Sequence, residues 1–385
     1  MKKKWMVMVI LLCAMSIFWG WQEVYAAEEE PGDDPSALYA EQYEASGADE
    51  LADALPEETR RWLEEWGLDA SDPASADRLS FGNALQMIRT FVESGGKRPL
   101  TAAAAAMAVI LLCALFSGAG SGLTGQEMQG AFSYISTLAV AGVILAPLMQ
   151  AAAGTISAIK AASVFMLSFV PVYAGILISA GKPLTAAGFQ PLVLGAAQVV
   201  GQAAAFFLTP LTGVYMAVSM SAAVSPGLKT GGLSEGVRKA AAWSLTLIMT
   251  LFTGLLGIQT AIQGAADGLA MKTTKFLAGT FVPVVGASVS EALTTVQSCL
   301  GVLKTSVGIY AVAAVALLLL PILLELLLWR LALTLLTALA DLFELQAVSG
   351  LLKAAGGAAA LLTAICLCVG LVFIISAGVV SIAAR

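Results

Sequence analysis

The sequence contains no histidine and few charged residues, and each shortage excludes a class of function. Without histidine the chain lacks the usual proton shuttle, an imidazole metal ligand and a Ser-His type catalytic triad. Charged residues make up 12% of the 385 residues, whereas soluble domains carry about 25%. The chain therefore cannot cover itself with a charged, water-wetted surface, and we expect an integral membrane protein.

Cysteine is also scarce, with five residues in the chain. They are Cys13, Cys113, Cys299, Cys366 and Cys368. All but Cys299 lie in strongly apolar runs, so they are expected to be small buried hydrophobic residues, not metal ligands or disulfides. No Walker loop or G-x-S-x-G elbow occurs. The sequence thus predicts no enzyme, and it identifies no catalytic residue, cofactor site or metal site.

Charge is concentrated near the amino terminus. Residues 27–98 hold 18 Asp and Glu against 6 Lys and Arg, whereas residues 99–385 hold 7 against 11. The acidity of the chain, with a pI near 4.9, therefore belongs to one short segment. Binding to nucleic acid requires a basic patch, and the sequence has none.

The first 26 residues are typical of a secretory signal peptide. Three lysines precede an apolar stretch that begins at Trp5, and small residues end it at Ala26. An uncleaved signal anchor is the alternative, because the apolar stretch is nearly long enough to span a membrane. In either case residues 27–98 are expected to form an acidic, helical, extracytoplasmic segment.

Two apolar stripes at helical spacing run through that segment. Their members are Thr59, Trp62, Leu63 and Trp66 in the first stripe, and Leu85, Ile88, Phe91 and Val92 in the second. The stripes either pack on each other as a very small helical domain or dock on the membrane surface or on a partner. The sequence favours neither alternative.

Residues 99–385 form a series of apolar runs, each near the ~20 residues that a helix needs to cross a bilayer. The predicted spans are 99–119, 131–152, 162–180, 191–221, 241–263, 305–328, 331–348 and 357–381. A further run, 276–290, is too short to cross and is expected to be re-entrant. The predicted fold class is all-α, a polytopic membrane helix bundle with about seven or eight crossings.

Three prolines are candidate helix breaks or gating positions. Pro171 and Pro283 lie in two nearly identical phrases, SFVPV and TFVPV, and Pro210 interrupts the longest span. Paired broken helices in two halves of a chain indicate a substrate site in secondary transporters. Chance resemblance between apolar phrases is the other interpretation.

Three carboxylates occur inside apolar runs and form a second candidate site. Asp341 and Glu344 are three residues apart and share a face of one predicted helix, and together with Glu325 of the preceding run they would form an acidic cluster. Such a cluster would suit an ion or a proton. In the alternative interpretation Glu325 pairs with Arg330 near a membrane end, and the other two lie on an interfacial helix.

Small residues form faces on several predicted helices, including Gly254 with Gly257 and the run 356–360. Such faces permit close approach of helices within the protein or between proteins. The feature is common in membrane proteins and does not identify a function by itself.

The whole arrangement resembles the stage III sporulation protein AE family of endospore-forming Firmicutes. The most specific stretches are residues 169–181 (FVPVYAGILISAG) with Thr185-Ala186, and residues 275–286 (KFLAGTFVPVVG). The resemblance covers the chain from about residue 36 onward, and it carries over no catalytic residue.

The resemblance implies a multi-pass subunit of the channel that joins the mother cell to the forespore, located in the mother-cell membrane that faces the engulfed forespore. The complex would be needed for forespore development and late sigma-factor (sigma-G) activity. Its expected partners are the bilayer and the other membrane and ring-forming proteins of that complex, including its ATPase and, through them, the forespore protein Q. A self-contained secondary transporter is the alternative function.

Overall fold

The computed structural model describes residues 35–72, 75, 97–120, 126–203, 213, 214, 217, 231–281 and 286–383. The predicted signal peptide, the second apolar stripe, Pro210 and Pro283 lie outside these residues. The chain divides into two compact units, Met1–Leu38 and Tyr39–Arg385. Of the first unit the structure describes only residues 35–38, the beginning of the first helix.

The described residues are 92% α-helical and contain no strand, so the predicted all-α fold class is confirmed. In chain order the helices are α1 (Pro35–Ala45), α2 (Glu57–Glu65), α3 (Lys97–Gly120), α4 (Gln126–Ser179), α5 (Pro183–Ala203), α6 (Gly231–Phe281), α7 (Gly286–Leu342) and α8 (Gln346–Ala383). A short 3₁₀ helix, Ala48–Ala52, lies between α1 and α2.

Two tight turns organise the bundle into helical hairpins. Residues 180–182 join α4 to α5, and residues 343–345 join α7 to α8. Connections this short make consecutive helices antiparallel neighbours. The interior between them is filled by large apolar side chains, among them Phe165, Trp329 and Phe373, which are fully buried.

Within the described residues, four helical stretches are long and apolar enough to cross a membrane. These are Lys97–Phe116, Phe132–Ser179, Val296–Leu342 and Gln346–Gly378. A shorter apolar helical stretch is Met249–Gln259. The helices that contain these stretches differ from the predicted spans mainly in their length.

Two pairs of predicted spans are joined without a break. Helix α4 contains both 131–152 and 162–180, and α7 contains both 305–328 and most of 331–348. Lys160 and Arg330 fall between the predicted spans, but neither residue stops a helix, because lysine and arginine are good helix formers. At about 1.5 Å per residue the 54 and 57 residues of these helices extend about 80 and 85 Å, well beyond the ~30 Å hydrocarbon core.

The predicted helix break at Pro171 is absent, since α4 continues through Pro147 and Pro171 to Ser179. Proline removes one N–H from the helix but allows the chain to continue when the carbonyl that it frees is satisfied elsewhere. The expected re-entrant run 276–290 is divided between the end of α6 and the start of α7, with residues 282–285 outside the described part.

Small residues permit the closest contacts between α7 and its neighbours. A Cβ added at Gly370 of α8 would lie 3.0 Å from Cδ1 of Leu319, and one added at Gly154 of α4 would lie 3.2 Å from Cδ1 of Ile322. Both distances are shorter than an ordinary contact, so a side chain at either glycine would require Leu319 or Ile322 to shift by a few tenths of an ångström.

We predict that Gly370→Leu lowers the free energy of unfolding by about 1–3 kcal/mol, because the added side chain overpacks the α7–α8 contact. Gly350 on the same helix is a matched control, since a Cβ there would meet nothing within 4 Å. Gly350→Ala should instead stabilise the protein by about 0.5–1 kcal/mol through helix propensity. Thermal unfolding of the full chain in detergent tests both, and equal midpoints for the two variants would contradict the packing argument.

Candidate functional site at the turn between helices α4 and α5

The stretch that carries most of the family resemblance forms a buried aromatic row along α4 and across to α5. Ring centroids are 6.1 Å apart for Phe165 and Phe169, 5.1 Å for Phe169 and Tyr173, and 5.8 Å for Tyr173 and Phe189. All four rings are buried. Aromatic pairs at these separations add to the free energy of apolar burial, so this row fixes how the two helices of the hairpin face each other.

The end of α4 has the hydrogen-bond pattern of a Schellman motif. The N–H of Lys182 donates to the carbonyl oxygen of Leu177, and the N–H of Gly181 donates to that of Ile178, each at 2.9 Å. Gly181 has a φ of 76°, a left-handed conformation that glycine adopts without strain. The motif turns the chain within three residues and delivers Pro183 as the first residue of α5.

Helix α5 begins without a capping side chain of its own, because a lysine precedes it and cannot accept a hydrogen bond. Pro183 has no N–H, so the first donors that need an acceptor belong to Leu184 and Thr185. Asp267 of α6 supplies that acceptor. Its Oδ1 accepts the N–H of Leu184 at 3.1 Å, and its Oδ2 accepts both the N–H and the hydroxyl of Thr185 at 2.7 Å.

The carboxylate of Asp267 is almost completely enclosed, with 1% of the residue exposed. A negative charge at a helix N-terminus is stabilised by the helix dipole and by the free N–H groups. Burial lowers the pKa of neighbouring Lys182, and the charge of Asp267 partly opposes that shift. Three donors converge on one carboxylate, so the arrangement anchors α6 to the α4–α5 hairpin.

Sequence reasoning did not identify Asp267, because the residue fell in a predicted loop, where a charge is unremarkable. The sequence at the start of α5, the other partner of this contact, did contain a signal. The order Gly181, Lys182, Pro183 marks a helix end followed directly by a helix start with no local cap, which requires an acceptor from elsewhere in the chain.

The predicted cluster of three carboxylates does not form. Glu325 and Asp341 lie 16 positions apart on the continuous helix α7, a rise of about 24 Å. Asp341 ends that helix and accepts a short hydrogen bond from the Ser349 hydroxyl on α8. Its Oδ2 is 3.1 Å from Nζ of Lys353, so this carboxylate closes the α7–α8 hairpin.

Glu344 does not share a helix face with Asp341, because it lies beyond the end of α7. Its φ is 56°, and its N–H donates to the carbonyl oxygen of Asp341 at 3.2 Å, while the N–H of Leu345 donates to that of Ala340 at 3.0 Å. This is the same Schellman motif as at Gly181, with a glutamate in the left-handed position.

The predicted pairing of Glu325 with Arg330 is not present either. Glu325 is half-buried, and the charge that acts on it is that of Arg98 at the start of α3. Trp329, one turn further along α7, is fully buried, and its side chain lies against the carboxylate of Glu325. The carboxylate therefore faces α3, and neither Asp341 nor Glu344 shares its surroundings.

The first apolar stripe of the amino-terminal segment packs on the bundle, with Thr59 and Leu63 buried. One carbonyl fixes this docking: the oxygen of Ala70 accepts the hydroxyl of Tyr39 and the hydroxyl of Ser306 on α7, each at 3.0 Å. The first stripe therefore packs on the chain's own bundle, an arrangement that neither sequence alternative described, and the second stripe lies outside the described residues.

The described cysteines contain free thiols, and Cys366 is buried. No group of three or more Cys, Asp or Glu side chains that is arranged to hold a metal ion occurs in the part of the chain that the structure describes.

An all-helical bundle with several helices long and apolar enough to cross a bilayer defines the class of multi-pass membrane proteins. Residues 74–384 match the family model of stage III sporulation protein AE. The chain belongs to that family, which confirms the resemblance seen in the sequence.

A curated relative comes from Bacillus subtilis (strain 168), where it is named stage III sporulation protein AE. It is 31% identical to this chain over 156 residues, which cover 40% of this chain and 39% of the relative. The alignment thus spans well under half of that protein. No solved structure matches this chain.

We predict that Asp267→Ala lowers the free energy of unfolding by about 1–3 kcal/mol, because it leaves buried donors of α5 without an acceptor. Asp267→Asn keeps one acceptor and should cost less. Thr185→Val removes the hydroxyl bond alone and should cost about 1 kcal/mol. Thermal unfolding of the single and double variants gives the coupling energy, and additive effects of Asp267→Ala and Thr185→Val would show that the contact does not contribute.

We predict that Glu344→Gly stabilises the α7–α8 hairpin by about 1 kcal/mol, because glycine adopts the left-handed conformation without the cost that other residues bear. Glu344→Gln removes the charge but keeps the conformational strain, so it should leave the unfolding midpoint unchanged. A midpoint that changes equally in both variants would assign the effect to charge and not to backbone conformation.

Proposed function

We propose that the protein is a membrane subunit of the channel complex that joins the mother cell to the forespore, and that it supports forespore development and late sigma-factor (sigma-G) activity. Membership of the stage III sporulation protein AE family is the observation that carries this proposal. The proposed location is the mother-cell membrane that faces the forespore, and the proposed partners are the other membrane and ring-forming proteins of the complex, including its ATPase. The proposal assigns the chain no catalytic activity.

The surface of α6 supports a role that depends on contacts with other proteins. Among the side chains of this helix that the structure describes, Phe252 and Leu256 are buried in the bundle. Several large apolar side chains are exposed, among them Trp243 at 69% and Ile258 at 63% exposure. Small residues interrupt that surface, and a Cβ at Gly254 would meet nothing within 4 Å, so another helix has room to approach closely there.

The alternative function, a self-contained secondary transporter, was predicted from convergent carboxylates and paired broken helices. The described residues offer neither feature: Glu325 and Asp341 lie far apart on α7, and α4 continues through Pro171. The transporter function therefore loses the two observations that favoured it, and the channel subunit is the better-supported proposal.

We predict that Gly254→Leu abolishes co-purification with the partner membrane proteins and lowers the yield of heat-resistant spores at least about tenfold, as removal of a close helix contact would. The substitution faces open space, so the unfolding midpoint should not fall. Gly254→Ser, which keeps the residue small, is the matched control and should assemble normally. A sigma-G dependent reporter gives a second readout.

A triple variant separates the two functions. Replacement of Glu325, Asp341 and Glu344 by their amides should leave assembly and spore yield nearly unchanged if the protein is a channel subunit. Loss of sporulation in the triple variant despite normal assembly would favour the transporter. Failure of the unaltered protein to co-purify with any protein of the complex would contradict the proposal directly.

A further inference from the structure

A cavity of about 430 Å³ lies between the amino-terminal segment and α7. Its walls come from α1, the 3₁₀ helix, α2 and the residues after α2 on one side, and from Tyr310 of α7 on the other. Cavities of about 300–1,000 Å³ are the usual size for small-molecule sites. No role in the bundle described above requires this space.

The charged residues that line the cavity are mostly acidic. Among the described lining residues, Glu64 and Asp69 carry a negative charge and Arg60 a positive charge. That cation is already engaged, with its guanidinium 3.6 Å from the carboxylate of Asp53 and 3.9 Å from that of Glu64. The cavity therefore keeps an excess of negative charge, which disfavours an anion and favours a cation.

The side chain of Asp69 is held in place by a hydrogen bond. Its Oδ1 accepts the N–H of Ser71 at 2.9 Å, which fixes the side chain. Asp69 lines the same cavity as Tyr43 and Tyr310, and its charge acts on both phenol groups. Burial raises the pKa of Tyr43, and the charge of Asp69 raises it further.

Tyr310 supplies a polar group without a visible partner. The residue is 7% exposed and lines the cavity, and its hydroxyl makes no hydrogen bond to any residue that the structure describes. A buried polar group normally has a partner, so this hydroxyl is available to a bound molecule. The rings of Tyr43 and Tyr310 can also attract a cation by the cation–π interaction.

We propose that this cavity binds a small organic cation that carries an alkylammonium group. The ammonium would lie near Asp69 and the two phenol groups, and its methylene chain would pack on aliphatic lining residues such as Leu63 and Leu68. A bound molecule would contact both the amino-terminal segment and α7, and would therefore strengthen their docking. This inference is independent of the proposed role in sporulation.

Calorimetric titration of the full chain in detergent with spermidine tests the proposal. We expect saturable binding at one site per chain. The neutral probe 1,8-octanediol, which has a similar length and no charge, should bind at least about tenfold more weakly, equivalent to about 1.4 kcal/mol. Spermidine should also raise the thermal unfolding midpoint, because it binds the folded protein.

Variants identify the residues responsible. Asp69→Asn keeps an acceptor for Ser71 but removes the charge, and should weaken spermidine binding about tenfold, equivalent to about 1.4 kcal/mol. Tyr310→Phe keeps the ring and should weaken it by a smaller factor. Glu41→Gln changes an exposed acid outside the cavity lining and should have no effect. Unfolding midpoints without ligand verify that each variant is folded.

Three results would overturn the proposal. These are the absence of saturable spermidine binding to the unaltered chain, equal affinities for spermidine and 1,8-octanediol, and equal weakening by Asp69→Asn and Glu41→Gln. The last result would show that spermidine responds to the overall acidity of the segment and not to this cavity. If Asp69→Asn does not fold, the Tyr310→Phe variant takes its place. The proposal would then be overturned if Tyr310→Phe bound spermidine as tightly as the unaltered chain and the unaltered chain bound spermidine and 1,8-octanediol equally.

Discussion

A helix must find acceptors for its first N–H groups, and this constraint determines how the bundle is joined. Helix α5 has no capping side chain of its own, and Thr185 in its first turn is buried. The carboxylate of Asp267 on α6, which lies more than 80 residues further along the chain, accepts its donors. The negative charge of Asp267 is tolerated in this position because the N-terminus of α5 stabilises it. Helices α4, α5 and α6 are thereby connected through one side chain.

Features that depend on neighbouring residues could be predicted from the sequence, whereas contacts between distant residues could not. The low charge and long apolar runs predicted an all-helical membrane bundle, and the resemblance in residues 169–181 predicted the family. The structure gives that stretch a physical role, because Phe169 and Tyr173 pack across the hairpin and Gly181 ends α4. Asp267 was missed because no pattern of spacing reports which helix end a carboxylate will reach.

The same limit explains the errors in the predicted spans and carboxylates. The spans were divided by the length that a single crossing needs, but the helices continue through Lys160 and Arg330, because long side chains lose little freedom in a helix. Once α7 is continuous, the separation of Glu325 from Asp341 follows from helix geometry alone. Charged residues that are near one another in the sequence come together in space only when the chain turns between them and does not continue as one straight helix.

Apolar packing is non-directional, so a chain with 58% hydrophobic residues needs other interactions to select one arrangement of its helices. Two long-range polar contacts among the described residues join a helix end or a loop to a long helix. Asp267 connects α6 to the start of α5, and the carbonyl of Ala70 connects the amino-terminal segment to Ser306 of α7. A buried polar group that loses its partner costs more than a shifted apolar contact. These few polar contacts therefore define the positions of helices that apolar burial alone would allow to slide.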